Sequence, residues 1–254
     1  MKKLLTVIRY ECETSFQYIW VFYLALACII PAISGIIFLL ASKVGSINCL
    51  ELNSIIFVSI VGILQMKEDF RMLMQNGFTR TYIFLGTMAQ FVFISGLMSL
   101  VDTLLGTALR VLLSGYCNYQ TIFGSLYGYG HPAVLGWLWL FLVYLLFSSL
   151  CFFFALALNR MPKKVSIFIG AAAGVLLILG ASVLFGTGPW DSFKHRFAAL
   201  AAKSFGFMAD GTIRLVYPLF LLLLYAGLLN VCSYLFIRRA EINDPAAKSL
   251  FSLE

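Results

Sequence analysis

Long apolar runs separated by short polar segments divide the chain, and this pattern constrains its fold more than any other feature. A helix that crosses the hydrocarbon core of a bilayer needs about 20 apolar residues. Six runs come close to or exceed this length, at residues 18–41, 47–66, 82–113, 133–158, 165–185 and 215–237. Only 11% of the residues are charged, whereas soluble domains have about 25%. We therefore predict an all-α polytopic membrane protein with six transmembrane helices, forming one transmembrane domain over residues 1–254.

The basic residues predict the orientation of these helices. If the N-terminus lies in the cytoplasm, the inner segments contain 12 of the 18 Lys and Arg residues. Basic residues favour the cytoplasmic side of a membrane protein, so we predict that both termini lie inside. This role accounts for the net charge of +7, which therefore does not indicate nucleic-acid binding. The second run is the weakest of the six, because it is short and contains Glu51.

Residues 1–17, before the first run, have the pattern of an amphipathic helix. Apolar side chains recur at helical spacing at Leu4, Leu5, Ile8 and Cys12. Arg9 and Glu13 are four residues apart, where they can form an ion pair. We expect this helix to lie on the inner membrane surface, although a simple basic anchor explains the same residues equally well.

A short charged segment, residues 67–78, separates the second and third runs and also has helical spacing. Its apolar face would contain Phe70, Leu73, Met74 and Gly77, and its polar face Glu68, Arg71 and Gln75. Glu68 and Asp69 open this helix, where the helix dipole favours negative charge.

The residues that follow predict where this helix ends and the next begins. Asn76 and Gly77 tolerate the left-handed backbone that ends helices. Thr79 can cap the third span, with Phe78 and Ile83 as a hydrophobic staple. A rigidly held helix with one apolar face is suited to docking into a groove of a soluble partner. The alternative is a solvated helix that rests on the bilayer.

Two outer segments are rich in aromatic residues. Residues 114–132 contain many glycines and tyrosines. Residues 188–213 have helical spacing, with an apolar stripe formed by Trp190, Phe193, Phe197 and Leu200. We expect 188–213 to lie on the outer interface, where its aromatic residues would form a membrane belt.

Few residues within the apolar runs can carry chemistry. Asp102 lies about 30 Å along the third run, near the outer interface. We expect it to pair with polar side chains or outer water, and a role as a polar functional site is the alternative. Gly170 and Gly174 form a G-x-x-x-G motif, which permits close helix packing within the subunit or across a dimer. Cys49 and Cys117 would lie on the outer side of the membrane, and a disulfide between them is an open alternative.

Motifs of common enzymes and of metal sites do not occur in the sequence. It contains no G-x-x-x-x-G-K-[ST], no H-E-x-x-H and no G-x-S-x-G, and its two histidines are isolated. We therefore predict that this chain is not an enzyme and has no metal site of its own.

The chain resembles the permease subunits of ABC-2-type ABC transporters in three features. These are an amphipathic start carrying L-L-x-x-x-R-Y-E, six spans with both ends inside, and a charged helix that ends N-G-F-T-R. The resemblance is greatest to small bacterial permeases that export peptides or protect against lantibiotics and bacitracin. It implies a multi-pass protein of the bacterial plasma membrane that exports or clears an amphipathic or lipophilic peptide or antibiotic.

The resemblance also implies roles for particular segments. Residues 1–17 would be the elbow helix, and residues 67–78 the coupling helix that docks on an ABC ATPase. That contact would be made by Glu68, Asp69, Phe70, Arg71, Leu73, Met74, Gln75 and Gly77. ATP and Mg would bind to the ATPase rather than to this chain. A second permease, identical or paralogous, would complete the transporter, with Gly170 and Gly174 in the permease contact. Residues 188–213 would then be able to enter the membrane as a re-entrant segment.

Two other function classes fit the sequence. A secondary transporter would need an ionisable or broken-helix site near the bilayer midplane. A membrane immunity or binding protein that does not pump would bind its ligand outside, through the loop at 114–132. An adjacent gene for an ABC ATPase would favour the permease, and its absence would favour these alternatives.

Overall fold

The computed structural model describes residues 2–41, 50–67, 69–113, 120–160, 191–208 and 212–238. These residues are mostly helical, and the all-α class predicted from the sequence is confirmed for them. The helices are α1 (Lys2–Ala41), α2 (Leu50–Lys67), α3 (Asp69–Gln75), α4 (Arg80–Leu113), α5 (Ile122–Tyr127), α6 (Ala133–Arg160), α7 (Asp191–Ser204) and α8 (Val216–Arg238). An isolated antiparallel bridge joins Phe207 to Ile213.

The first helix continues past the boundary expected at residue 17. α1 is one helix of 40 residues, so the segment 1–17 and the first span are continuous. The physical reason is that residues 2–30 contain no glycine or proline that would break a helix. The expected ion pair is present, with 2.7 Å between Arg9 Nε and Glu13 Oε1.

The face of α1 that packs on the bundle is a different one from the apolar face predicted to lie on the membrane, and that membrane contact stays a prediction. Leu5 is 71% exposed, whereas Val7, Glu11 and Ser15 are buried. The contact is close because α4 has a glycine there: a Cβ atom at Gly86 would lie 2.6 Å from Val7 Cγ1. Gly86 therefore allows the Val7 stripe of α1 to approach α4 closely.

Four of the described helices are long and apolar enough to cross a membrane. They are Lys3–Ile29, Arg80–Val111, Ala133–Asn159 and Val216–Arg238, and they correspond to the first, third, fourth and sixth predicted spans. The apolar part of α2, Leu50–Gln65, is shorter. The predicted fifth span, 165–185, lies outside the described residues. A membrane protein with several spanning helices is thus supported, while six spans with both termini inside stay a prediction.

The helices form a bundle around α6. α6 packs against α2, α4 and α8, and α1 packs along α4. One end of the bundle, here called the α3 end, contains α3, the start of α4 and the end of α8. There Arg80 Nη1 donates a 3.0 Å hydrogen bond to the carbonyl of Arg238. The other end, here called the α5 end, contains α5 and the starts of α2, α6 and α8. α1 and α4 therefore run from the α3 end toward the α5 end, and α2, α6 and α8 run the opposite way.

The packed interior is apolar at both ends of the bundle. One cluster at the α3 end includes Phe70, Phe91 and Phe152, and another at the α5 end includes Met98, Trp139 and Tyr144. The outer face of α8 is apolar as well, with exposed Val216, Phe220, Leu223, Leu228, Val231 and Leu235. An apolar exterior of this extent fits contact with lipid rather than with water.

Candidate functional site

The short helix α3 turns its apolar face toward the protein itself. Phe70 and Leu73 are only 4% and 3% exposed, and they belong to the same core cluster as Val7, Ile83 and Leu156. The sequence-based prediction assigned Phe70 and Leu73 to the contact with a partner, and the structure places them in the core of this chain instead. A helix of 7 residues is too short to be stable in isolation, so its apolar face is needed for its own packing.

The end of α3 is built as the sequence predicted. Gly77 has φ of +75°, a conformation that glycine adopts without strain. Phe78 N donates to the carbonyl of Leu73 at 3.2 Å, and Gly77 N donates to that of Met74 at 3.1 Å. This pair of hydrogen bonds is a Schellman motif. The chain therefore leaves α3 in a fixed direction and enters α4 at once.

Among the described side chains of α3 and the turn after it, the exposed ones lie at the C-terminal end. Gln75, Asn76 and Gly77 are exposed, and Met74 is half-buried. Glu68 and the side chains of Asp69 and Arg71 lie outside the described residues, as do Gly170 and Gly174. Of the predicted docking residues whose side chains the structure describes, Gln75 and Gly77 are exposed, with half-buried Met74 beside them.

Asp102 forms a buried polar cluster with two tyrosines. Its side chain has no exposed surface. Tyr23 of α1 donates to Oδ1 at 2.8 Å, and Tyr144 of α6 donates to Oδ2 at 2.5 Å. The expectation that Asp102 pairs with polar side chains is confirmed. The cluster joins α1, α4 and α6 through one carboxylate.

A second buried acid, Glu51, holds α5 against the bundle. Glu51 is near the start of α2, is 4% exposed, and accepts a hydrogen bond from Ile122 N at 2.5 Å. Thr121 caps α5, with its hydroxyl accepting from Gly124 N at 3.0 Å. Tyr127, the last residue of α5, donates to the carbonyl of Phe205 at 3.0 Å, and burial raises the pKa of its phenol.

A cavity of about 190 Å³ lies beside Glu51 at the α5 end. Thr103, Arg110 and His131 are among its lining residues. The guanidinium of Arg110 lies 3.6 Å from the centre of the Tyr129 ring, a cation–π contact. The cavity thus combines a carboxylate, hydroxyls and an aromatic-stacked cation.

A third polar cluster lies nearer the α3 end and joins α1, α2 and α4. Gln65 Nε2 donates to Glu11 Oε1 at 2.8 Å, and Gln90 Nε2 donates to Ser15 Oγ at 2.8 Å. The Ser15 hydroxyl in turn donates to the carbonyl of Glu11 at 2.6 Å. All four side chains are buried.

The contacts observed within these clusters are hydrogen bonds. In the described ranges, no group of three His, Cys, Asp or Glu side chains could hold a metal ion. The ion pair found there joins Arg9 to Glu13, and neither Glu51 nor Asp102 forms one within the same ranges. Buried acids inside a membrane bundle are costly and are commonly functional.

The comparisons with known proteins identify no relative. No family model matches the chain, and neither a curated protein nor a solved structure matches it.

Sequence reasoning found Asp102 but missed the buried roles of Glu11 and Glu51. Glu51 was treated as a flaw in the second run, although an acid in an apolar run is itself a signal of a buried polar contact. For Glu11 the signal was weaker. Glu11 follows Val7 by four residues and precedes Ser15 by four, so the three side chains share one face of α1.

Proposed function

We propose that this chain is the permease subunit of an ATP-driven ABC transporter in the bacterial plasma membrane. The observation that carries the proposal is the rigid junction between α2, α3 and α4. α3 is fixed to the core by Phe70 and Leu73, and the chain passes to α4 through the turn at Gly77. A helix fixed in this way transmits a force applied to its exposed end.

In this proposal, an ABC ATPase subunit binds at the α3 end and contacts Gln75, Asn76 and Gly77. Its closure on ATP would move α3, and α4 would carry the motion along its 34 residues to the α5 end. α4 also carries Gln90 and Asp102, whose hydrogen bonds reach α1 and α6. Movement of α4 would therefore rearrange both polar clusters. A second permease would complete the transporter, and the transported molecule would be an amphipathic peptide or antibiotic.

Co-expression with a candidate ABC ATPase from the same organism tests this proposal. The tagged chain should co-elute with the ATPase in detergent, and the complex should hydrolyse ATP. Replacing Gln75 by Lys, an exposed change whose positive charge suits the C-terminal end of α3, should weaken co-elution without lowering the melting temperature of the permease. A chain that purifies alone and leaves ATPase turnover unchanged would contradict the proposal.

An ion-coupled secondary transporter is the second candidate, and the buried acids favour it. Asp102 and Glu51 lie in the bundle without a basic partner among the described residues. Such acids are suited to taking up and releasing protons during transport. Transport that needs a pH gradient and no ATPase, and that stops in Asp102→Asn, would favour this candidate over the ABC permease.

A further inference from the structure

The cavity of about 190 Å³ at the α5 end contains an acid and a permanent base that do not pair with each other. Glu51 of α2 and Arg110 of α4 both line it, and no ion pair joins them within the described ranges. Their charges are therefore too far apart for a direct contact. A cavity of about 150 Å³ can hold a benzene molecule, so this one has room for the charged group of a small organic ligand.

Glu51 is the buried member of this pair. The residue is 4% exposed, and its Oε2 accepts a hydrogen bond from Ile122 N. Oε1 accepts none from the described residues, yet it is not among their fully buried atoms that lack a partner. Oε1 therefore keeps accessible surface, and this surface faces the cavity that Glu51 lines. Because a buried carboxylate without a cation is costly, a positively charged donor would be stabilised there.

The wall formed by α4 also presents hydrogen-bond acceptors. The hydroxyl of Thr103 donates to the carbonyl of Ser99 at 2.7 Å, and that of Thr107 donates to the carbonyl of Thr103 at 2.7 Å. Each hydroxyl proton is thereby used, so both oxygens can only accept from a ligand. Both threonines line the cavity. Acceptors on two walls favour a ligand group with several N–H donors, and a primary ammonium is such a group.

Arg110 lies at the mouth of the cavity. Arg110 and Tyr129 are exposed, and the guanidinium lies 3.6 Å from the centre of the Tyr129 ring. Stacking uses the flat face of the guanidinium, whereas its N–H donors point outward in the plane of the group. The aromatic contact thus holds the cation in place and leaves its donor edge for anionic oxygens, which a guanidinium binds in a bidentate manner.

We propose that this cavity binds a small zwitterion, with its primary ammonium against Glu51 and its anionic oxygens against Arg110. A simple cation would lie beside Arg110 without pairing it, and a simple anion would do the same beside Glu51. A ligand that carries both charges matches the cavity better than either. Free amino acids and the head group of phosphatidylethanolamine share this chemistry. The site needs neither ATP nor a partner subunit, so it goes beyond the proposed transport function.

Native mass spectrometry of the full chain in detergent tests the proposal by counting bound ligand during a titration. The soluble probe is L-leucine. It is compared with its methyl ester, which lacks the carboxylate, and with N-acetyl-L-leucine, which lacks the ammonium. The lipid probe is dihexanoylphosphatidylethanolamine. It is compared with dihexanoylphosphatidylcholine, whose quaternary ammonium has no N–H donor.

The zwitterion with a primary ammonium should bind at least about tenfold more tightly than its analogues, because each analogue loses a hydrogen bond to a charged group. A preference for L-leucine over both of its analogues identifies free amino acids as a ligand. A preference for the ethanolamine lipid over the choline lipid identifies the lipid head group as a ligand. Either preference supports the proposal.

Two variants that each remove one charge assign the contacts. Arg110→Gln should abolish the preference for L-leucine over its methyl ester and keep the preference over N-acetyl-L-leucine. Glu51→Gln should do the reverse and should also abolish the preference for the ethanolamine lipid, while its amide oxygen can still accept from Ile122 N. Arg110→Gln should weaken the binding of both lipids. Arg196→Gln, at an exposed position of α7 outside the cavity, is the control and should leave every preference unchanged.

Two results would overturn the proposal. The first is equal binding within the leucine set and within the lipid pair in the unmodified chain. The second is an Arg110→Gln protein that binds both sets in the same way as the Arg196→Gln control. If Glu51→Gln does not fold, the analogues and the two arginine variants still decide the question. None of these measurements includes ATP or an ATPase, so failure here is distinguishable from failure of the transport proposal.

Discussion

The phenol of Tyr144 on α6 donates a hydrogen bond to the carboxylate of Asp102 on α4, and neither side chain has exposed surface. Tyr23 on α1 donates to the other carboxylate oxygen. One acid thus joins three long helices inside the bundle. The stability of the bundle at the α5 end therefore depends on both tyrosine hydroxyls.

Replacing Tyr144 by Phe should destabilise the protein. The change removes one hydroxyl and leaves Asp102 Oδ2 without its donor, which costs about 1–3 kcal/mol or more for a charged acceptor. The melting temperature in detergent, followed by circular dichroism, should fall by several degrees. Tyr225→Phe is the control, because Tyr225 is 52% exposed on α8 and should change little. Equal melting temperatures for both variants would contradict the role of the cluster.

Substitutions on the buried face of α3 should lower the free energy of unfolding, whereas substitutions at its exposed residues should not. Leu73→Ala removes a buried side chain from the core and should cost about 2–5 kcal/mol. Gln75→Ala changes an exposed residue of the same helix and should stay within about 0.5 kcal/mol. Chemical denaturation in mixed micelles measures the difference. A Leu73→Ala protein as stable as Gln75→Ala would show that α3 does not pack on the core.

Close contact between α2 and α6 should make one glycine irreplaceable. A Cβ atom at Gly62 would lie 2.5 Å from the carbonyl oxygen of Ser148, so Gly62→Ala should force the helices apart and lower the melting temperature. A Cβ atom at Gly227 on α8 would meet no atom of another described element within 4 Å. Gly227→Ala should therefore be neutral or stabilise the helix by up to about 1 kcal/mol. The reverse order of stabilities would refute this packing.

Removal of the Glu51 carboxylate should release α5 from the bundle. Glu51→Ala deletes the acceptor for Ile122 N, and amide hydrogen exchange in Ile122–Tyr127 should accelerate. Glu51→Gln keeps an acceptor oxygen and should preserve most of the protection. Mass spectrometry of peptides covering α5 provides the measurement. Unchanged exchange in Glu51→Ala would mean that Thr121 and the packing of Tyr127 hold α5 without it.

The sequence predicted helical elements well where local signals decide the structure. The end of α3 at Asn76 and Gly77 was predicted because glycine is the usual residue in a left-handed C-terminal position. The α4 and α6 helices start within two residues of the predicted spans, since Thr79 and Pro132 precede them. The Arg9–Glu13 pair followed from spacing alone.

Features that depend on neighbouring helices were not predictable in the same way. The burial of Val7 rather than Leu5 depends on Gly86, which is distant in sequence. The inward face of Phe70 and Leu73 depends on the core formed with Ile83 and Leu156. Periodicity shows that a helix has an apolar face, but it does not show whether that face meets lipid, a partner or the same chain.

The most direct test of the transporter account is photo-cross-linking from the exposed end of α3. The photoreactive residue p-benzoylphenylalanine replaces Gln75, or Ser125 as the control, which is exposed on α5 at the opposite end of the bundle. Each variant is co-expressed with a candidate ABC ATPase from the same organism. The account predicts a cross-link to the ATPase from position 75 and none from position 125. Absence of a cross-link from position 75, with both variants folded and the ATPase present, would contradict it.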